Sequence, residues 1–233
     1  MVSQELAGLL AMLRKSHPWH GVSPHLVDTR MIEAFIEMVP SDRVKLELDK
    51  ATGHLRVDRP LLYSSSCPTL YGFIPQTYCG ALVAKRCCQR TKRRGIIGDG
   101  DPLDICVITD SVFSHGDLFV TARPIGGLRM IDNKQADDKI IAVLKDDLTF
   151  GKIEDISQLP AAVVTRLKHY FLSYKQSFAN ESKPKKPVVA IPEVYGAEEA
   201  YEVIRLSLED YKNLYGTLGQ RVERLQEILT AIP

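Results

Sequence analysis

Apolar positions recur along the chain with two different periods, and the change between them divides it. Leu6, Leu9, Leu10 and Leu13 fall at helical spacing, so a short amphipathic helix is predicted over residues 1–16. An irregular connection with Pro18 and Pro24 follows. From Met31 to Asp58 the pattern shortens to strands: Phe35–Val39, Val44–Leu48 with alternating apolar and charged residues, and Leu55–Val57. Asp49–Gly53 reads as the hairpin turn between the last two. Further strand signal lies at Ile105–Thr109, Leu118–Ala122 and Ile140–Leu144. The second half reads as helices. Val163, Val164, Leu167, Tyr170, Phe171 and Tyr174 mark one face of a helix within 159–178, and 197–215 and 220–229 repeat the signal. Short strands followed by helices predict an α+β domain, a small antiparallel sheet or barrel covered by helices. The divisions read are an N-terminal helical extension, 1–30, and a single domain, 31–233.

One segment breaks this pattern. Lys85–Arg94 holds six basic residues and no acid, and it reads as a solvated loop carrying exposed, free Cys87 and Cys88. Across the whole chain, however, 30 Lys and Arg balance 29 Asp and Glu. That balance argues against a dedicated nucleic-acid binder and leaves room for local patches of both signs. Apolar residues make up 45% of the chain and charged residues 25%, as expected of a globular protein with a buried core. No run approaches the roughly 18 apolar residues that span a bilayer. The five cysteines, Cys67, Cys79, Cys87, Cys88 and Cys106, form no CxxC pair and no evident disulfide framework. The chain reads as cytoplasmic, with no membrane partner.

The densest chemical signal is Asp99-Gly100-Asp101-Pro102-Leu103-Asp104, directly before the apolar run Ile105–Ile108. Three carboxylates in six residues repel one another unless a cation lies among them, and hard divalent cations prefer oxygen ligands. A solvated acidic turn is the bland alternative. An EF-hand loop fits poorly, because its sixth and twelfth positions would be Asp104 and Asp110. A second acidic group, Asp132 with Asp137, Asp138 and Lys139, precedes Ile140–Val143. Alone it reads as a solvated loop; two separated Asp clusters can together build a site for more than one metal.

These motifs resemble the soluble (family I) inorganic pyrophosphatases. Asp99–Asp104 matches the D-x-D-P-x-D signature position by position, and Asp132, Asp137 and Lys139 match D-x4-D-x-K. Phe35–Pro40, Lys45–Asp49, Val57–Arg59, Pro68–Pro75 and His169–Lys175 resemble further family segments in the same order, from about residue 32 to 212. The resemblance implies a five-stranded OB-like β-barrel with helices packed outside. It implies hydrolysis of pyrophosphate to two phosphates, several Mg²⁺ ions per active site, and a homo-oligomer. It assigns Asp99, Asp104, Asp132 and Asp137 to metal and Asp101 to the proton of the attacking water. Glu37, Glu47 and Asp58 would support the metal shell through waters. Lys45, Arg59, Tyr71, Lys139, Tyr174 and Lys175 would hold phosphate oxygens. Outside that context Lys45 and Glu47 share a strand face and read as a surface ion pair, and Tyr71 and Tyr174 as half-buried core aromatics. Two rivals stand: an OB-like nucleic-acid binder using residues 85–94, and a metal-dependent hydrolase of nucleotides or organic polyphosphates.

Three departures follow from the resemblance. Cys67 stands where a tyrosine usually reaches the cavity, so one contact is expected to be missing there. Leu70 replaces an Asn. Residues 81–97 are an insertion, with substrate steering, a partner contact or simple solubility as its readings.

Overall fold

The computed structural model describes residues 15–24, 30–62, 65–174, 189–217, 219–221, 223, 224 and 227. Residues 1–14 of the helix predicted over 1–16, part of the segment 220–229 and Lys175 lie outside these residues.

In chain order the strands are β1 (Ile32–Met38), β2 (Val44–Leu48), β3 (Leu55–Pro60), β4 (Leu70–Phe73), β5 (Ile97–Gly98), β6 (Asp104–Ile108), β7 (Leu118–Asp132), β8 (Gln135–Ala136), β9 (Lys139–Leu144) and β10 (Val189–Gly196). The helices are α1 (Ala81–Thr91), α2 (Ala161–Ser173) and α3 (Ala197–Tyr215). Five strands close on themselves. β1 pairs with β4 and β7, β4 with β6, β6 with β9, and β9 with β7; only β6–β9 is parallel. This is the small barrel expected from the resemblance. The hairpin β2–β3 stands apart as a second sheet, while β5, β8 and β10 extend the first.

The continuous apolar runs of β6 and β9 follow from burial on both faces. Ile105 and Val107, Ile140 and Ala142 join one core with Val83 of α1 and Val203 and Ile204 of α3. Their neighbours Cys106, Ile108, Ile141 and Val143 join another with Leu167, Tyr170 and Phe171 of α2. The helices therefore cover opposite sides of the strands. Gly72 permits the close approach of β4 to β1, since a Cβ there would lie 1.8 Å from the Phe35 carbonyl oxygen.

Local chemistry sets the ends of the elements. The Asp49 carboxylate accepts from the N–H groups of Ala51 and Thr52, and Gly53 takes φ +75°, closing the expected hairpin turn. β7 runs ten residues past the predicted Ala122. Pro124, Gly126 and Gly127 lie within it, where they mark a register shift against β9 and a close approach by Tyr195.

The basic segment is corrected more sharply. It is a helix, α1, which buries Val83, Ala84 and Cys87 along one side. Cys87 is fully buried and Cys88 half-buried, so neither is the exposed thiol expected. Gly80 offers no side-chain cap; instead Asp210 of α3 accepts from the N–H groups of Gly80, Leu82 and Val83 at 3.0–3.1 Å. A carboxylate from another helix thus satisfies the orphan donors and complements the helix dipole.

Candidate active site

Both acidic motifs and the β2–β3 hairpin meet at one cleft with two lobes. One, of about 510 Å³, is lined by Glu37, Lys45, Glu47, Lys50, Tyr71, Asp99, Asp101, Asp104 and Asp137, among others. The other, of about 490 Å³, shares Lys45, Tyr71, Asp99, Asp101, Asp104 and Asp137 and adds Asp132, Gln135, Lys139 and Tyr174. The turn before β6 aims three of the acids. Gly100 takes φ +80°, and the Asp101 N–H donates to Asp99 Oδ1 at 3.0 Å, so the loop folds back on its own first carboxylate.

Lys139 lies at the centre. Its side chain is almost fully buried, and its Nζ donates to Asp104 and, at 2.5 Å, to Asp137. The Tyr71 hydroxyl donates to Asp104 Oδ2 at 2.7 Å. Burial opposes the charge on Lys139, but the carboxylates of Asp104 and Asp137 outweigh it and hold the amine well above its usual range. At the hairpin side, Lys45 bridges Glu47 at 2.9 Å and Asp58 at 3.2 Å, and Arg59 bonds Asp58 at 2.5 Å. Asp58 and Arg59 do not line either lobe; Lys45 connects them to it. Glu37 is buried at the back, where its Oε1 accepts from the Leu48 N–H at 2.7 Å.

Acid is in surplus here. Glu37, Glu47, Asp99, Asp101, Asp104, Asp132 and Asp137 face only Lys45, Lys50 and Lys139 among the lining residues. The surplus has a cost, because a buried carboxylate ionises reluctantly beside others. Burial and then Asp104 push Glu37 up to about 8; burial and then Asp137 push Asp99 up to about 8. An oxygen-rich set short of positive charge fits hard divalent cations. Among the described residues, no three acidic, His or Cys side chains already converge on a single ion position. The amine of Lys139 holds Asp104 and Asp137 instead.

Two polar lining residues were missed in the sequence. Lys50, whose Nζ ion-pairs with the Asp101 carboxylate, comes directly after the Lys45–Asp49 motif. Gln135 lies between Asp132 and Asp137. The signal for both was proximity to a motif. Cys67 lines neither lobe; it is buried beside Thr69 and Tyr170, where burial pushes its thiol up to about 11.

The model of one known family, inorganic pyrophosphatase, matches residues 34–212. The chain belongs to the inorganic pyrophosphatase family. An inorganic pyrophosphatase of Chlamydia trachomatis serovar L2 is 50% identical over 200 residues, which cover 86% of this chain and 96% of that protein. Soluble inorganic pyrophosphatase 2 of Chlamydomonas reinhardtii is 37% identical over 200 residues, covering 86% and 91%. The crystal structure of inorganic pyrophosphatase from Thermus thermophilus superposes with a TM-score of 0.67 at 27% identity, covering 85% of this chain and 99% of that one. The match spans the barrel, both acidic motifs and α2, and it includes α1 within its bounds. Among the described residues, no helix is long and apolar enough to cross a membrane.

Proposed function

We propose that this chain hydrolyses inorganic pyrophosphate to two orthophosphates, using Mg²⁺ and a water whose proton passes to Asp101. The observation that carries the reading is the cleft's surplus of carboxylates around Lys139, in a chain of this family. Asp99, Asp104, Asp132 and Asp137 would hold the cations. When bound, Mg²⁺ neutralises phosphate charge and makes water a better nucleophile at neutral pH.

The remaining work falls to the protein's own groups. The water oxygen attacks one phosphorus, the bridging P–O bond breaks, and the water's proton goes to a carboxylate oxygen of Asp101. Lys45, Arg59 and Lys139 present cationic donors to the phosphate oxygens, and Tyr71 and Tyr174 present hydroxyls. Lys175 joins this set from the family motif. Lys139 has a double use: its amine pairs with Asp104 and Asp137, and it would present the same charge to a phosphate oxygen. Glu37, Glu47 and Asp58 fix the back and the hairpin side of the cleft through Leu48 and Lys45. A small, lysine-studded cleft favours the smallest polyphosphate over nucleotides. A cytoplasmic location and assembly as a homo-oligomer belong to the same reading.

Phosphate release from pyrophosphate, with Mg²⁺ titrated in, tests it on wild type and Asp101→Asn. Metal-dependent release by wild type and a loss of about 10²–10⁴-fold in kcat for the variant are expected. Equal rates for the two proteins would remove Asp101 from its role, and no release by wild type with any divalent metal would remove the reading itself.

A further inference from the structure

The segment that carries Asp137 and Lys139 has a second side. Those two side chains meet in the cleft, while Asp138, between them, is turned away and has no solvent exposure. The register that sets Ala136 opposite Ile131 and Lys139 opposite Leu128 puts Asp138 opposite Arg129 of β7. Arg129 is also without exposure, and its Nη1 donates to Asp138 Oδ2 at 2.7 Å. The Tyr195 hydroxyl donates to the same oxygen at 3.0 Å, and the Arg129 guanidinium lies 4.6 Å from the Tyr195 ring centre.

Arg129 is itself held from the far side. It bonds Glu199 of α3 through Nη2 and Glu193 of β10 through Nε at 3.4 Å. Each of those carboxylates takes a second arginine, and both of these come from α1. Arg86 donates to Glu199 through Nε, at 3.0 Å, and Nη2, and Arg90 donates to Glu193. Three arginines and three carboxylates alternate, from the basic helix inward to the segment that carries Asp137.

We propose that Arg129 and Asp138 are positioning residues for the cation and phosphate groups, Asp137 and Lys139, and that α1 is the outer anchor of this device. The inference rests on the assignment of those two residues to the site. The paired rungs of β7–β8 and β7–β9 stop on either side of Asp137 and Asp138, with the Asp137 N–H donating to the Met130 carbonyl at 3.0 Å. The buried Asp138 carboxylate fixes the backbone where the ladder is interrupted, and with it the direction of both neighbouring side chains. Two charges of α1 therefore serve the protein's own acids. Groups bonded directly to a metal ligand are worth about 10–100-fold in metal affinity when lost, and the lower end of that range is expected here, where Arg129 and Asp138 act through the backbone.

The test uses the full chain and two variants, Arg86→Gln/Arg90→Gln on the helix surface and Asp138→Asn inside, with Arg205→Gln as a charge control. Arg205 pairs only with Glu202 and Glu209 of its own helix among the described ion pairs. Mg²⁺ affinity of the substrate-free protein is read by calorimetry, beside kcat, KM and the thermal midpoint in chelator. A tenfold or greater weakening of Mg²⁺ binding is expected in both variants, with a cooperative melt retained and the control like wild type. Unchanged Mg²⁺ affinity in folded variants overturns the proposal, even if the midpoint falls. A drop in kcat/KM that salt erases, with Mg²⁺ affinity intact, overturns it in favour of substrate steering. A wild type that neither binds Mg²⁺ nor releases phosphate instead removes the functional reading beneath it.

Discussion

Two ionic clusters lie back to back across the Asp137–Lys139 segment, and they are built on opposite principles. Behind the segment, Arg86, Arg90 and Arg129 meet Asp138, Glu193 and Glu199 in equal number. In the cleft, carboxylates far outnumber amines. The difference shows in the acids themselves. Asp138 is among the most deeply buried, and burial raises it, but Arg129 opposes the rise and it reaches only about 6. Glu37 and Asp99 reach about 8. Burial alone does not mark a functional carboxylate; burial without enough positive charge does. The closed network completes its own charge balance, whereas the cleft leaves part of that balance to whatever binds.

The largest effect expected from this contrast is on stability. Arg129→Met leaves Asp138 and its neighbours without their buried partner, which costs about 3–5 kcal/mol. Urea unfolding in chelator should show a large fall in midpoint for Arg129→Met and none for Glu37→Gln. A loss under about 1 kcal/mol for Arg129→Met would mean that the two clusters are not different in kind.

A second effect, of comparable size over its full pH window and of opposite sign, is expected in the cleft. Glu37 rises from 4.5 to about 8 on folding, chiefly through burial and then through Asp104. Between those pH values the folded protein holds a proton that the unfolded chain has released. Metal-free stability should therefore fall as pH rises from about 4.5 to about 8, by up to about 1.4 kcal/mol for each unit of pH in the middle of that window. Glu37→Gln keeps an acceptor for the Leu48 N–H and removes the titration. Its stability should change less over this window and exceed that of wild type at about pH 8. Parallel pH profiles for the two proteins would contradict the charge imbalance assigned to the cleft.

Much of the cleft was legible because its acids are adjacent in sequence. The segments Asp99–Asp104 and Asp132–Lys139 each sit beside a strand, and the apolar runs that follow them fixed β6 and β9 closely. The ionic network was not legible. Arg86, Arg129, Asp138 and Glu199 are far apart in the chain except for one pair, and each reads alone as an ordinary surface charge. The same holds for Asp210 as the cap of α1. The helix itself had a signal, Val83, Ala84 and Cys87 at helical spacing, which the run of basic residues obscured. β10 was missed because Pro192 stands in its middle, where the pairing with β7 is irregular.

Lys50 provides the finest division between the two clusters. Its amine pairs with Asp101, but both side chains are over 40% exposed, so the pair should add little to stability. The backbone holds it loosely in place: the His17 ring nitrogen Nε2 meets the Lys50 carbonyl at 3.2 Å, and the amine lies 6.0 Å from the Trp19 ring centre. A lysine so placed can leave Asp101 for an incoming phosphate. Lys50→Ala should alter unfolding free energy by no more than about 0.5 kcal/mol while lowering kcat/KM roughly tenfold, more at low salt than at high. If it instead lost more than about 2 kcal/mol and kept its kcat/KM, Lys50–Asp101 would belong with the self-completed pairs behind the cleft, and the mobile positive charge would have to come from Lys45 or Lys139.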